Sequence, residues 1–146
     1  MVEFRPFLAG DLVQLALQPS QRLELGVDQP LSMEYGRDLA ANGPSWTAYQ
    51  RGRILCCAGF RETFAPVQAV AWAMLAEGIG GAHLAITRFA RLQIAEAPYR
   101  RLEAIVEAKN GRAVAWAQMV GLQINTMLEC FGANSEPHIL FERVKL

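Results

Sequence analysis

Sulfur and imidazole are scarce in this chain, with three cysteines and two histidines among 146 residues. Cys56 and Cys57 are adjacent and Cys130 is remote, an odd count with none of the spacing of a disulfide framework. Neighbours on a strand point to opposite faces, so a 56–57 bridge would strain the backbone. All three are expected to be reduced, mostly buried thiols. Cys56 and Cys57 read as strand core rather than nucleophiles, because no histidine adjoins them to lower a thiol pKa. The set is also too small for a zinc site in any recognised spacing. Excess charge is lacking too: 14 basic side chains face 14 acidic ones, and no run of Lys or Arg exceeds two. That argues against a nucleic-acid surface, which leaves a basic excess or block. No long apolar run exists. Ala69–Ala76 is the longest, far short of the ~20 residues that span a bilayer, and reads as a buried strand. Glu3, Arg5 and Asp11 leave no room for a signal peptide near the N-terminus, so cytoplasmic residence is expected. Repeats and low-complexity segments are absent as well.

What is present is a core. At 52% hydrophobic residues, a chain of this length buries roughly two-thirds of its unfolded surface and needs no metal or disulfide to hold it. One domain over residues 1–146 is the simplest expectation. Alternation over Val2–Leu8 predicts a strand, and Asp11–Leu17 a short helix. Asp28 and Pro30 are start signals for a helix over Leu31–Ala41, which Asn42-Gly43-Pro44 stops. Ser45–Gln50, the turn Arg51-Gly52 and Arg53–Phe60 form a hairpin. Pro66–Ala76, nearly all apolar, is expected to be a central strand covered on both faces. A long helix follows over Ala82–Ala97. At 100° per residue, Ala82, Ala85, Ile86, Phe89, Ala90, Leu92 and Ala97 share its core arc, opposite His83, Thr87, Arg88 and Arg91. Arg101–Glu107 alternates as a strand, Asn110-Gly111 opens a helix closed by Gly121, and Gln123–Phe131 and His138–Val144 end the chain as strands. The order β-α-α-β-β-β-α-β-α-β-β gives an α/β (α+β) class. The expected architecture is a mixed, mostly antiparallel seven-stranded sheet with four helices on both faces and one parallel crossover.

This order, over essentially the whole chain, resembles the GNAT superfamily of acyl-CoA N-acyltransferases. The segment from Asn110 to Gly121-Leu122 is similar to the family's penultimate helix, in which Asn is followed eleven residues later by Gly and a large apolar residue. Arg101–Val106 resembles the strand before it, and Glu129–Gly132 with His138–Val144 resembles the terminal hairpin. The resemblance implies acetyl-CoA or another acyl-CoA as cofactor, held where the central strand meets the long helix, with an amine as acceptor. The implied cofactor residues are Gly78, Ile79, Gly80, Gly81, Asn110 and Arg88. Backbone N–H groups at a helix N-terminus suit a diphosphate. The loop is degenerate, however: Leu75 stands where the family has Gln or Arg, and Glu77 adds negative charge. Ala117 occupies the position of the family's proton-donating Tyr, and Ala113 that of a Ser usual in relatives that acetylate ribosomal proteins. Glu77, Glu62 and His83 are the candidate bases for removing the amine proton.

Each of these residues also has a plainer reading. Gly78, Gly80 and Gly81 either cradle phosphates or turn a tight corner; their partial match to a dinucleotide fingerprint fails because His83 occupies the third glycine position. His83, Thr87 and Arg91 with Arg88 are either a solvated helix face or a basic rim for coenzyme phosphates or a partner. Trp72 and Trp116 read as core anchors rather than substrate-stacking residues, and His138 as a surface or edge residue. Two functions from different classes follow. One is an N-acyltransferase. The other is a non-catalytic protein of the same scaffold, resembling small phage-encoded GNAT-like proteins of virion or morphogenesis type, with a phage or host protein as partner, in the host cytoplasm or the virion. A homo-oligomer is compatible with either.

Overall fold

The computed structural model describes residues 1–16 and 31–146. Among the described residues, seven strands and four helices follow one another in the expected order: β1 (Glu3–Pro6), α1 (Ala9–Gln14), α2 (Met33–Ala41), β2 (Ser45–Gln50), β3 (Arg53–Phe64), β4 (Gln68–Leu75), α3 (Ala82–Glu96), β5 (Arg101–Glu107), α4 (Gly111–Met119), β6 (Gln123–Phe131) and β7 (Glu136–Val144). Strand neighbours follow the order β1-β2-β3-β4-β5-β7-β6 in one sheet. The pair β4–β5 is parallel, while β1–β2, β2–β3, β5–β7 and β6–β7 are antiparallel. No helix among the described residues is long and apolar enough to cross a membrane. Residue contacts gather into two compact units, residues 1–62 with 71–86 and residues 63–70 with 87–146.

In the first unit, β1, β2 and β3 form an antiparallel meander whose inward side chains meet α1 and α2. Phe7, Leu12, Leu15, Leu39, Cys57, Met74 and Ala76 make its buried cluster, with Leu31, Ile54, Trp72 and Ile79 packed against it. Gly36 lets α2 approach α1 closely, since a Cβ there would lie 2.5 Å from the carbonyl oxygen of Ala9. Helix α1 starts at Ala9, ahead of the expected Asp11, because Asp11 acts inside the first turn: its carboxylate accepts from the Leu8 N–H at 2.9 Å. Helix α2 begins at Met33 rather than Leu31, capped by the Ser32 hydroxyl, which accepts from the Tyr35 N–H at 3.1 Å. Leu17, Asp28 and Pro30 lie outside the described residues, as does all of 17–30.

Strand β4 is less enclosed than its sequence suggests. Ala69 and the Met74–Ala76 end are buried, but Val70 to Ala73 are only half-buried. Trp72 packs edge-on against Phe7 with ring centroids 5.4 Å apart, as a core anchor should. Its indole N–H is nonetheless buried without a hydrogen-bond partner among the described residues.

In the second unit, β5 pairs with β7 from Arg101↔Val144 to Glu107↔His138, burying Leu102, Ala104 and Phe141. The buried arc of α3 differs from expectation: Ile94 joins it, Thr87 is buried, and Leu92 is exposed. The arc turns because Thr87 has a partner there, its hydroxyl accepting from Trp116 Nε1 at 2.9 Å. The C-terminal end of α3 is tied by Arg143, which donates to the carbonyls of Ile94, Ala97 and Tyr99. Burial lowers the pKa of this guanidinium from its ordinary value. Cys130, expected to be mostly buried, is exposed. It lies on β6, which ends the strand order among the described residues and is exposed along nearly its whole length.

Candidate active site

The glycine corner between β4 and α3 belongs wholly to the first unit. Leu75 and Ala76 are buried, and the Ala76 N–H donates to the Leu55 carbonyl at 2.8 Å. The chain then leaves the sheet: the Glu77 N–H donates to Ala16 O at 2.9 Å, Gly78 and Gly80 take φ of +59° and +52°, and Ile79 turns its side chain back onto the core cluster. These two left-handed positions explain the glycines, because a side chain at positive φ is strained. The first turn of α3 is closed by Ala82 N–H to Ile79 O at 3.1 Å and His83 N–H to Gly80 O at 3.2 Å.

The N–H groups of Gly78, Ile79, Gly80 and Gly81 donate to nothing among the described residues. A Cβ built at Gly78, Gly80 or Gly81 meets no atom within 4 Å, so open space lies beside the corner. Four N–H donors at the start of a 15-residue helix, with open space beside the three glycines among them, are features that suit a diphosphate. The residues present therefore fit the diphosphate of an acyl-CoA. Leu75 is buried, so the absent Gln or Arg at that position is replaced by core packing. Glu77 is exposed, leaving its carboxylate in water, where its repulsion is weakened.

A residue with no motif to mark it also touches this corner. Arg53, the first residue of β3, donates to the carbonyl oxygen of Glu77 and to that of Gly78, the latter at 3.4 Å. A cation opening a strand straight after the Arg51-Gly52 turn is ordinary surface chemistry in the sequence; the pairing with residues 77–78 is visible only in the fold.

The candidate bases are dispersed. Glu77 and His83 bracket the corner, His83 half-buried in the first turn of α3. Glu62 stands elsewhere in the unit, half-buried on β3, where its N–H donates to Asn42 O at 2.7 Å.

The second unit holds the other predicted residues. The Asn110 side chain accepts from the Ala113 N–H at 3.2 Å and is the N-cap of α4, so this oxygen serves the helix. Arg88 is exposed on α3. The proposed basic rim contracts: Thr87 is buried against Trp116, and Arg91 donates to the Met119 carbonyl at 3.0 Å, capping α4. Ala117, at the position where the family resemblance puts a proton-donating Tyr, is buried.

No family model matches this chain, and no curated protein matches it in sequence. Solved structures do match its fold. An acetyltransferase of the GNAT family from Streptococcus pneumoniae superposes with a TM-score of 0.69 at 17% identity, covering 99% of each chain. The yncA protein of Salmonella typhimurium, solved with its cofactor acetyl-CoA, gives 0.73 at 12% identity over 99% of this chain and 94% of that one. A variant of the SpeG spermidine N-acetyltransferase of Vibrio cholerae gives 0.66 at 14% identity, over 98% and 93%. With element order, strand order and near-complete coverage in agreement, the chain has the fold of the GNAT acetyltransferases.

Proposed function

We propose that this protein binds an acyl-CoA at the glycine corner and transfers its acyl group to an amine. One observation carries the reading: the four N–H groups of Gly78 to Gly81 have no partner among the described residues, at the head of α3, in a fold shared with acetyl-CoA-dependent enzymes. Bound acyl-CoA supplies a thioester carbonyl, and attack by an amine nitrogen exchanges the C–S bond for a C–N bond. The N–H groups of the corner hold the diphosphate, and Ile79 anchors the loop from below through its side chain. Glu77 or His83 takes the proton the amine loses. Water protonates the departing thiolate.

Calorimetry and thermal unfolding with acetyl-CoA test this reading. A ligand at 100 times its Kd stabilises the fold by about 2.7 kcal/mol. Saturable heat and a matching rise in Tm are expected, both abolished by Gly80→Asp, which puts a carboxylate and a strained side chain among the donors. No heat and no shift at millimolar acetyl-CoA would sink it. A second reading has its own support in Ala113 and Ala117, which bring only methyl groups to positions where relatives carry reactive side chains. In that reading the scaffold serves binding or phage assembly without transfer. Co-purification with particles or with another phage protein is then expected, together with no acylated product from any amine panel.

A further inference from the structure

We infer that Arg53 is the positioning residue that aims the glycine corner at an anion, a role that rests on the acyl-CoA reading above. Its guanidinium donates to two successive carbonyl oxygens, those of Glu77 and Gly78. Each belongs to a peptide unit whose other end is an N–H: the Glu77 carbonyl shares its plane with the Gly78 N–H, and the Gly78 carbonyl with the Ile79 N–H. Both peptide bonds are trans, since the chain's cis bond is Ala65-Pro66. A trans peptide sets its N–H opposite its C=O. Drawing both oxygens toward Arg53 therefore turns the Gly78 and Ile79 N–H groups the other way, away from the cation.

Three consequences follow from that geometry. The first two donors of the corner are held in place before any ligand arrives, although Gly78, with no side chain and a φ of +59°, would otherwise be free to rotate. Charge on the acceptor side polarises each peptide unit, so its N–H becomes a stronger donor. The guanidinium also brings a cation to the main chain of a corner whose own sequence pattern has none. Arg53 thus supplies from β3, behind the loop, what buried Leu75 does not supply from within it. The planar fork suits two neighbouring oxygens in a way a single ammonium does not.

Titration of CoA into the wild type, Arg53→Ala and Arg53→Lys, with urea midpoints as the control for folding, tests the inference. Arg53 is exposed, so the midpoints are expected to stay together. Arg53→Ala is expected to weaken CoA binding about tenfold or more, and Arg53→Lys, which keeps the charge and one donor, to recover part of the loss. Amide resonances of Gly78 and Ile79 should move when inorganic pyrophosphate is added to the wild type and stay in place in Arg53→Ala. Wild-type CoA affinity in Arg53→Ala, or no recovery in Arg53→Lys, would overturn the inference and leave the acyl-CoA reading intact. Failure of the wild type to bind CoA would instead remove that reading, and this role with it.

Discussion

Among individual residues, Asp11 departs furthest from its bland appearance in the sequence. It is 4% exposed. Burial alone would raise its pKa, but the Arg5 fork at 2.8 Å, the Thr47 hydroxyl at 2.7 Å and the Leu8 N–H outweigh that and hold the carboxyl below its ordinary value. A depressed folded-state pKa contributes stability above the unfolded pKa, near 4, and loses it as pH falls through the folded value. The urea midpoint is therefore expected to fall below about pH 4, and Asp11→Asn to flatten that dependence. Asp11→Ala, which orphans Thr47 and Leu8, should cost about 3 kcal/mol by urea unfolding. The thiols separate just as sharply. Burial pushes Cys57 up to about 12 and Cys56 up as well, while Cys130 is exposed. A thiol reagent at pH 8 is expected to label one cysteine in the native protein and all three in urea, counted by mass spectrometry. The sequence identified the first two as core, because alternating apolar strands bury what lies on them. It misplaced Cys130, because a strand's pattern does not say whether that strand lies at an edge.

Elements were legible wherever a local signal fixed them. The boundaries of β2, β5 and β6 match the expected ones, since Asn-Gly-Pro, Arg-Gly and Gly punctuation acts within a few residues. The rotation of α3 about its axis was not legible. Its small and apolar residues allow more than one buried arc, and the choice was made by Trp116, whose indole N–H needs an acceptor once it leaves water. Thr87→Val should cost about 1–2 kcal/mol by leaving that donor unpaired. In a double-mutant cycle with Trp116→Phe the two losses should fall short of additivity, because the double variant has no orphan. Additive losses would show that the bond contributes nothing. The end of α3 has the same character: Pro98 announces a stop, but the carbonyls it leaves open are satisfied by Arg143, 49 residues beyond Ile94.

For the whole molecule, balance of charge and an open edge act together. The chain carries zero formal net charge and a pI of about 6.7. Strand β6 exposes Ile124, Met127 and Phe131 at the end of the sheet order. Two breaks in its register with β7, between Ile124 and Thr126 and between Leu128 and Phe131, blunt that edge as a template for further pairing. Solubility is expected to be lowest near pH 6.7 and to rise by pH 8.5, measured by light scattering. Met127→Lys should raise it at and below pH 6.7, where the added charge both blunts the edge and adds to the net positive charge.

The sequence by itself determined the order of elements, the class of fold, the core cysteines and the glycines of the corner, because hydrophobic period, turn chemistry and left-handed backbone are local properties of the chain. Tertiary structure decided which donors at the corner are left without partners, that Thr87 is interior, that Arg91 and Arg143 close helix ends, and that Arg53 stands behind Glu77 and Gly78. Apart from the unpartnered donors, each of these pairs residues about 20 to 50 positions apart, and a hydrogen bond at that distance leaves no periodic trace in the chain that makes it.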